Sequence, residues 1–242
     1  MKARVKWTKT GVLKFIGHLD VQRYFHKAMM RAGLPVSFSQ GMSPHQIMSF
    51  AAPLGMGMTS EGEYADITFD WSYRGEEMLS RMNAVMNEGI SVTEFRRIDK
   101  KEKNCMAVTA ACDYRIGFRK GHYFTEPFLQ RTEMFAMQEE IMVMKKTKRS
   151  EKMVDIAPMI LDIHMENKEE ETIFLRTVAG SSENLRPQTV MEAFCNYLGY
   201  DYDPLGFTIH RLETYLHRDG VYLPLGAVGE EVTEEIGPDD DR

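Results

Sequence analysis

Cysteine is scarce: Cys105, Cys112 and Cys195 are the three in 242 residues. They form neither a CxxC pair nor an even framework, which excludes a disulfide scaffold and a thiolate zinc site and leaves buried, reduced thiols. No two histidines stand at HxH or HExxH spacing, so the histidine pattern names no metal and implies no cofactor. No apolar run approaches the ~20 residues that span a bilayer, and the opening MKARVKWTK lacks the apolar stretch of a secretory signal. The expectation is a soluble cytoplasmic protein with no membrane partner. Short-period repeats are absent, and the one biased segment is acidic.

That segment, GEEVTEEIGPDDDR at 229–242, holds seven acids and one base and so accounts for the whole formal charge of −6. The remainder is neutral. Too little apolar surface is present to offset the entropy of ordering, which predicts a disordered, solubilising tail. The opposite bias lies at the other end. Residues 1–50 carry eight bases (Lys2, Arg4, Lys6, Lys9, Lys14, Arg23, Lys27, Arg31) against one acid, Asp20, a local charge of +7. Such a block attracts a phosphate-bearing partner even in an acidic chain.

Residues 3–9 alternate Val5 and Trp7 with bases, the pattern of a strand with one wet face, and 18–32 repeats Val21, Phe25, Ala28 and Ala32 at helical spacing before Gly33 and Pro35. Extended arms at 36–38 and 46–50 flank the loop SQGMSPH; a strand at 63–69, a helix at 74–87 and a strand at 90–98 follow. The order strand, helix, strand, strand, helix, strand is the ferredoxin-like arrangement. The charged run DKKEKN at 99–104 suits a boundary, and the second half repeats the plan, with Pro187 opening its last helix and a basic hairpin tip at 145–152. The fold class expected is α+β, two tandem ferredoxin-like (βαββαβ-type) domains at 1–98 and 105–228, followed by the tail at 229–242.

On the first helix Arg23, Lys27 and Arg31 recur every four residues and share one face opposite Val21, Phe25 and Ala28. Such stripes are more often plain solvated faces. Here the next loop supplies Ser39, Gln40, Gly41, Ser43 and His45, small donors and a glycine of the kind that cradle an anion. His18, Asp20 and His45 are weak catalytic candidates for metal-independent acid–base chemistry on a phosphodiester; helix capping is the plainer reading of the first two. In the second half Lys145, Lys148, Arg149 and Lys152 would clamp a nucleic-acid backbone, and Arg186 precedes a helix N-terminus that offers free amides to an anion. The 19 methionines read mostly as adaptable core filler, with LGMGMTS at 54–60 set apart as a flexible apolar loop.

The stretch FIGHLDVQRYFHKAMMRAGLPVSFSQGMSPHQIMSFAAPLGMGMTSEGEYADI, with KKTKRSEKMVDIAPMI and NLRPQTVMEAF later, resembles the radical-SAM-linked protein family of unknown function. Its members are encoded beside, or fused to, a radical SAM enzyme with a cobalamin-binding type domain. Matching positions include His18, Leu19, Asp20, Arg23, Arg31, Gly33, Pro35, Ser39, Gly41, Pro44, Phe50, Glu63 and Tyr64, then Asp155, Arg186 and Pro187. Lys27 and Met30 stand where the family often has arginine, and Gly17 where it has serine. The resemblance implies a radical SAM enzyme as partner. Joined to the basic face and loop, it leads to an accessory module that binds structured RNA, tRNA or rRNA, without catalysing a reaction itself. The alternatives are an RNA-processing enzyme using His18 and His45, and a protein–protein adaptor for the radical SAM partner.

Overall fold

The computed structural model describes residues 1–119, 128–146, 151–167 and 171–238. It is α+β and divides into two compact units: Met1–Ala110 with Glu213–Arg242, and Ala111–Leu212. No helix among the described residues is long and apolar enough to cross a membrane.

The first unit begins with strand β1 (Lys2–Lys9), a 3-10 turn at Gly11–Phe15 and helix α1 (His18–Arg31). Strands β2 (Met48–Phe50) and β3 (Thr59–Thr68), helix α2 (Gly75–Asn83) and strand β4 (Ile90–Ile98) follow. β1 pairs antiparallel with both β3 and β4, and β2 pairs antiparallel with β3, so the order is β4-β1-β3-β2. This is the split order that the element sequence predicts. Alternate residues Ala3, Val5 and Trp7 join Val21, Phe25, Ala28 and Met29 of α1 and Met78 and Met82 of α2 in one buried core. Burying each large apolar side chain contributes about 1.5–3 kcal/mol.

The other face of β1 is not wet, contrary to its alternation. It lies under a short helix α3 (Cys105–Val108) and a 3-10 turn at Leu225–Val228, with Tyr64, Cys105, Leu216 and Leu225 buried together. Arg4 is 1% exposed there. A base can occupy this layer because acids and carbonyls meet it, whereas a lone buried charge would be prohibitive.

The second unit holds β5 (Thr109–Phe118), α4 (Phe128–Ala136), a hairpin of β6 (Met142–Lys146) and β7 (Glu151–Asp155), then β8 (Ile160–Asn167), β9 (Thr172–Val178) and α5 (Pro187–Leu198). β10 (Phe207–Arg218) opens in this unit, beside β5; β5–β9 and β9–β8 are antiparallel, and the order is β10-β5-β9-β8. The hairpin is a separate two-stranded sheet inserted into this plan. Pro187 sits in the first turn of α5, and Gly199 closes it at φ 79°, with the Tyr200 amide donating to Cys195 O at 2.9 Å.

The division of the chain differs from two consecutive domains. Residues 99–104 are bonded into the first unit, where Lys2 Nζ donates to Glu102 O and Arg4 to Lys103 O. The chain returns there from Glu213, adding β11 (Val221–Pro224) on β10 and β12 (Glu230–Glu231) on β4. The expected disordered tail is therefore corrected for 229–238: Val232 is buried in the core, its carbonyl accepts from Gly75 N at 2.8 Å, and Ile236 bridges Ser72. Two apolar residues placed among acids suffice to dock it. Residues 239–242 lie outside the described residues.

Candidate functional site

Half of the N-terminal positive block is used up internally. Lys6 Nζ meets Glu213 Oε2 at 2.7 Å and Lys9 Nζ donates to Ile16 O at 2.8 Å, while Lys2 and Arg4 meet Glu102 O and Asp66. The +7 thus narrows to Lys14, Arg23, Lys27 and Arg31. Lys14 is half-buried with its Nζ 5.2 Å from the Phe15 ring.

Arg23, Lys27 and Arg31 all lie exposed on α1. Arg23 Nη1 donates to Asp20 Oδ1 at 3.3 Å, a solvent-screened pair worth at most about 1 kcal/mol, and Arg31 donates to Val85 O at 3.2 Å while stacking over Tyr24. Lys27 has no hydrogen bond or ion pair among the described residues. Asp20 near the helix start and Arg31 near its end both suit the helix dipole.

The loop after α1 is closed at its neck. Ser39 N donates to His45 O at 2.8 Å, and His45 N donates to Ser39 Oγ at 3.1 Å. Gln40, Gly41 and Ser43 are exposed between them, with Gly41 at φ 116°, a conformation that favours glycine. A bond that sequence reading missed hinges this loop to the helix: His26 Nδ1 donates to Gln46 Oε1 at 2.8 Å. The amide oxygen only accepts, so Nδ1 carries the proton. The bond ties the end of the loop to α1.

The three catalytic candidates meet different partners. His18 meets Gln22 at 3.0 Å and packs edge-on against Phe50, whereas His45 meets Ser39. Among the described residues no group of three or more His, Cys, Asp and Glu is placed to hold a metal. Glu63 is buried on β3 opposite Trp7 and offers no surface for a ligand.

Sequence reading also missed three exposed apolar side chains, Val12, Phe15 and Leu19, whereas Met56 falls in the 54–60 loop it set apart. Val12, Phe15, Leu19 and Met56 are 78, 59, 65 and 68% exposed. The Gly57 amide donates to Lys14 O at 2.8 Å, which brings the 55–58 turn against the 3-10 turn. Leu19 falls off the Val21–Phe25–Ala28 stripe, and that was the available signal.

In the second unit a cavity of about 700 Å³ opens between the β6–β7 hairpin and α5, lined by Lys145 and Arg186 together with Ile141, Val154, Leu185 and Tyr197, among others. Lys152 pairs with Lys145 across the hairpin. Lys148 and Arg149 lie outside the described residues. The Cys195 thiol on α5 is pushed up to about 11 by burial, with Glu192 adding to it; Cys105 is pushed to about 12 by burial and by Asp66. All three cysteines are buried and free.

A chain of the solved structure titled "Crystal Structure of a Cbf5-Nop10-Gar1 Complex" is similar over 88% of this chain and 48% of that chain, at 9% identity and a TM-score of 0.46. This chain thus spans about half the length of that one. No curated protein matches. Residues 2–187 match the family described as "Uncharacterized protein conserved in bacteria (DUF2344)", and the chain belongs to it.

Proposed function

We propose that the chain is an accessory module that binds structured RNA through α1 and the 39–45 loop, in the service of a partner radical SAM enzyme. The observation that carries the reading is the exposed stripe of Arg23, Lys27 and Arg31 on α1, with the exposed, donor-rich loop tied at its end to the same helix by the His26–Gln46 bond. Phosphates favour such a site because each neutralising contact releases counterions, and an exposed base on a rigid helix makes that contact without first breaking a buried pair. The radical SAM partner rests on the sequence resemblance alone, and the role is a cytoplasmic one. Filter binding against tRNA and rRNA fragments at low salt is the test. Absence of binding, or affinity unchanged in the Arg23→Ala/Arg31→Ala double variant, sinks the reading.

A second reading is favoured by the exposed Val12, Phe15, Leu19 and Met56, large apolar side chains of the kind that protein contacts cover. It makes the chain an adaptor for the radical SAM enzyme. Co-purification of the two proteins that survives nuclease treatment selects it over RNA binding. An enzymatic role through His18 and His45 gains no support from their separate partners.

A further inference from the structure

We propose that the cavity of the second unit binds a small amphipathic molecule with an apolar body and one anionic head group. The register of the hairpin carries this. Residues directly opposite on an antiparallel pair share a face, and so do residues two apart on one strand. Val143 faces Val154 and Lys145 faces Lys152, while the Ile156 amide donates to Ile141 O. One face therefore runs from an isoleucine pair through a valine pair to a lysine pair. Ile141, Val143, Lys145, Val154 and Ile156 of this face line the cavity, and α5 forms the opposite wall.

The lysine pair is costly as it stands, since like charges directly opposite destabilise a strand pair. Neither the Lys145 nor the Lys152 ammonium has a hydrogen bond or ion pair among the described residues, and neither does the Arg186 guanidinium; Lys145 and Arg186 line the cavity. A bound anion relieves that repulsion. The acids of the lining stand apart from it. Glu140 precedes β6, five residues before Lys145, and Glu192 lies six residues after Arg186, about 9 Å along α5. A polyanion laid along the cavity would meet both acids; a molecule charged at one end and apolar beyond it avoids them. A volume of about 700 Å³ is that of a small-molecule site, and Gln138, Asn184, Thr189 and Asn196 set hydrogen-bonding groups among the apolar residues of its wall.

Two fluorescent probes that differ by one group test this: 8-anilinonaphthalene-1-sulfonate and its neutral parent N-phenyl-1-naphthylamine. The full chain is titrated with each, alongside Lys145→Ala/Arg186→Ala, whose changes are at exposed positions, and two cavity-filling variants, Ala193→Trp and the milder Thr189→Phe. The expected result is one sulfonate site that weakens about tenfold in the double variant, while the neutral probe changes less than twofold and both probes are lost from whichever filled variant keeps the wild-type circular dichroism. Equal sulfonate affinity in wild type and double variant overturns the proposal, as does survival of both probes in a folded filled variant. Displacement of the sulfonate by tRNA, with tRNA binding lost in the same double variant, overturns it in favour of a nucleic-acid clamp.

Discussion

The Arg4 guanidinium grips the Asp66 carboxylate at two points, Nε to Oδ1 at 2.8 Å and Nη2 to Oδ2 at 3.1 Å, with both side chains almost wholly buried. Further bonds surround the pair: Arg4 Nη1 donates to Leu225 O at 3.1 Å, and the Cys105 amide donates to Asp66 Oδ2 at 2.8 Å. Burial opposes the Arg4 charge, yet Asp66 outweighs it and raises the pKa. One ion pair thus ties β1, β3, the 99–105 segment and the returning C-terminal segment together.

Removing one partner of such a pair leaves an uncompensated buried charge. Asp66→Ala should cost about 3–5 kcal/mol, read as a fall in the urea midpoint at pH 7. A cost below about 1 kcal/mol would show that water reaches Arg4 readily.

The RNA reading carries a salt signature. Three phosphate contacts from α1 correspond to a slope of log affinity against log salt of about −2 to −3, and Arg23→Ala/Arg31→Ala should reduce it by nearly 2. Measuring the series from about 50 to 200 mM salt separates this from a contact made by loop amides, which would keep the slope of the unaltered protein.

The thiols should be silent in the folded protein. Burial holds Cys105 near 12 and Cys195 near 11, so little thiolate forms at pH 8 and neither sulfur is accessible. Reaction with a disulfide reagent should track unfolding by urea. Fast labelling of a folded sample would contradict the packing of both residues.

Acid sensitivity has one identifiable source in the second unit. Arg115 bonds Glu166 at 2.6 and 2.7 Å, and this lowers the Glu166 pKa against a smaller opposing effect of burial. A depressed folded-state pKa contributes stability above the unfolded value of about 4.3 and loses it as pH falls through the folded value. Solvent screening limits the effect to about 1 kcal/mol or less, since Arg115 is 45% exposed. The stability difference between wild type and Glu166→Gln should therefore be present at pH 7 and vanish at about pH 2. A difference that grew on acidification would reverse the assignment.

What the amino-acid sequence determined by itself is local. The 3.6-residue period of Val21, Phe25 and Ala28 made α1, Gly33 ended it, Pro187 and Gly199 bounded α5, and the period-2 stretches made the strands of both units. Element order then constrained strand order to the split arrangement. Pairings between distant residues carry no local signal. Asp66, 62 positions from Arg4, and Leu225, 221 positions away, decide that Arg4 of β1 is buried and paired, whereas composition counts it as part of an open positive field. Likewise Val232 and Ile236, isolated among acids, hold the C-terminal segment through contacts that periodicity cannot register. The exposed stripe on α1 was legible because a helix face depends on spacing alone. Its hinge through His26 and Gln46, and the cavity that α5 forms with the hairpin, exist only once tertiary packing has set one element against another.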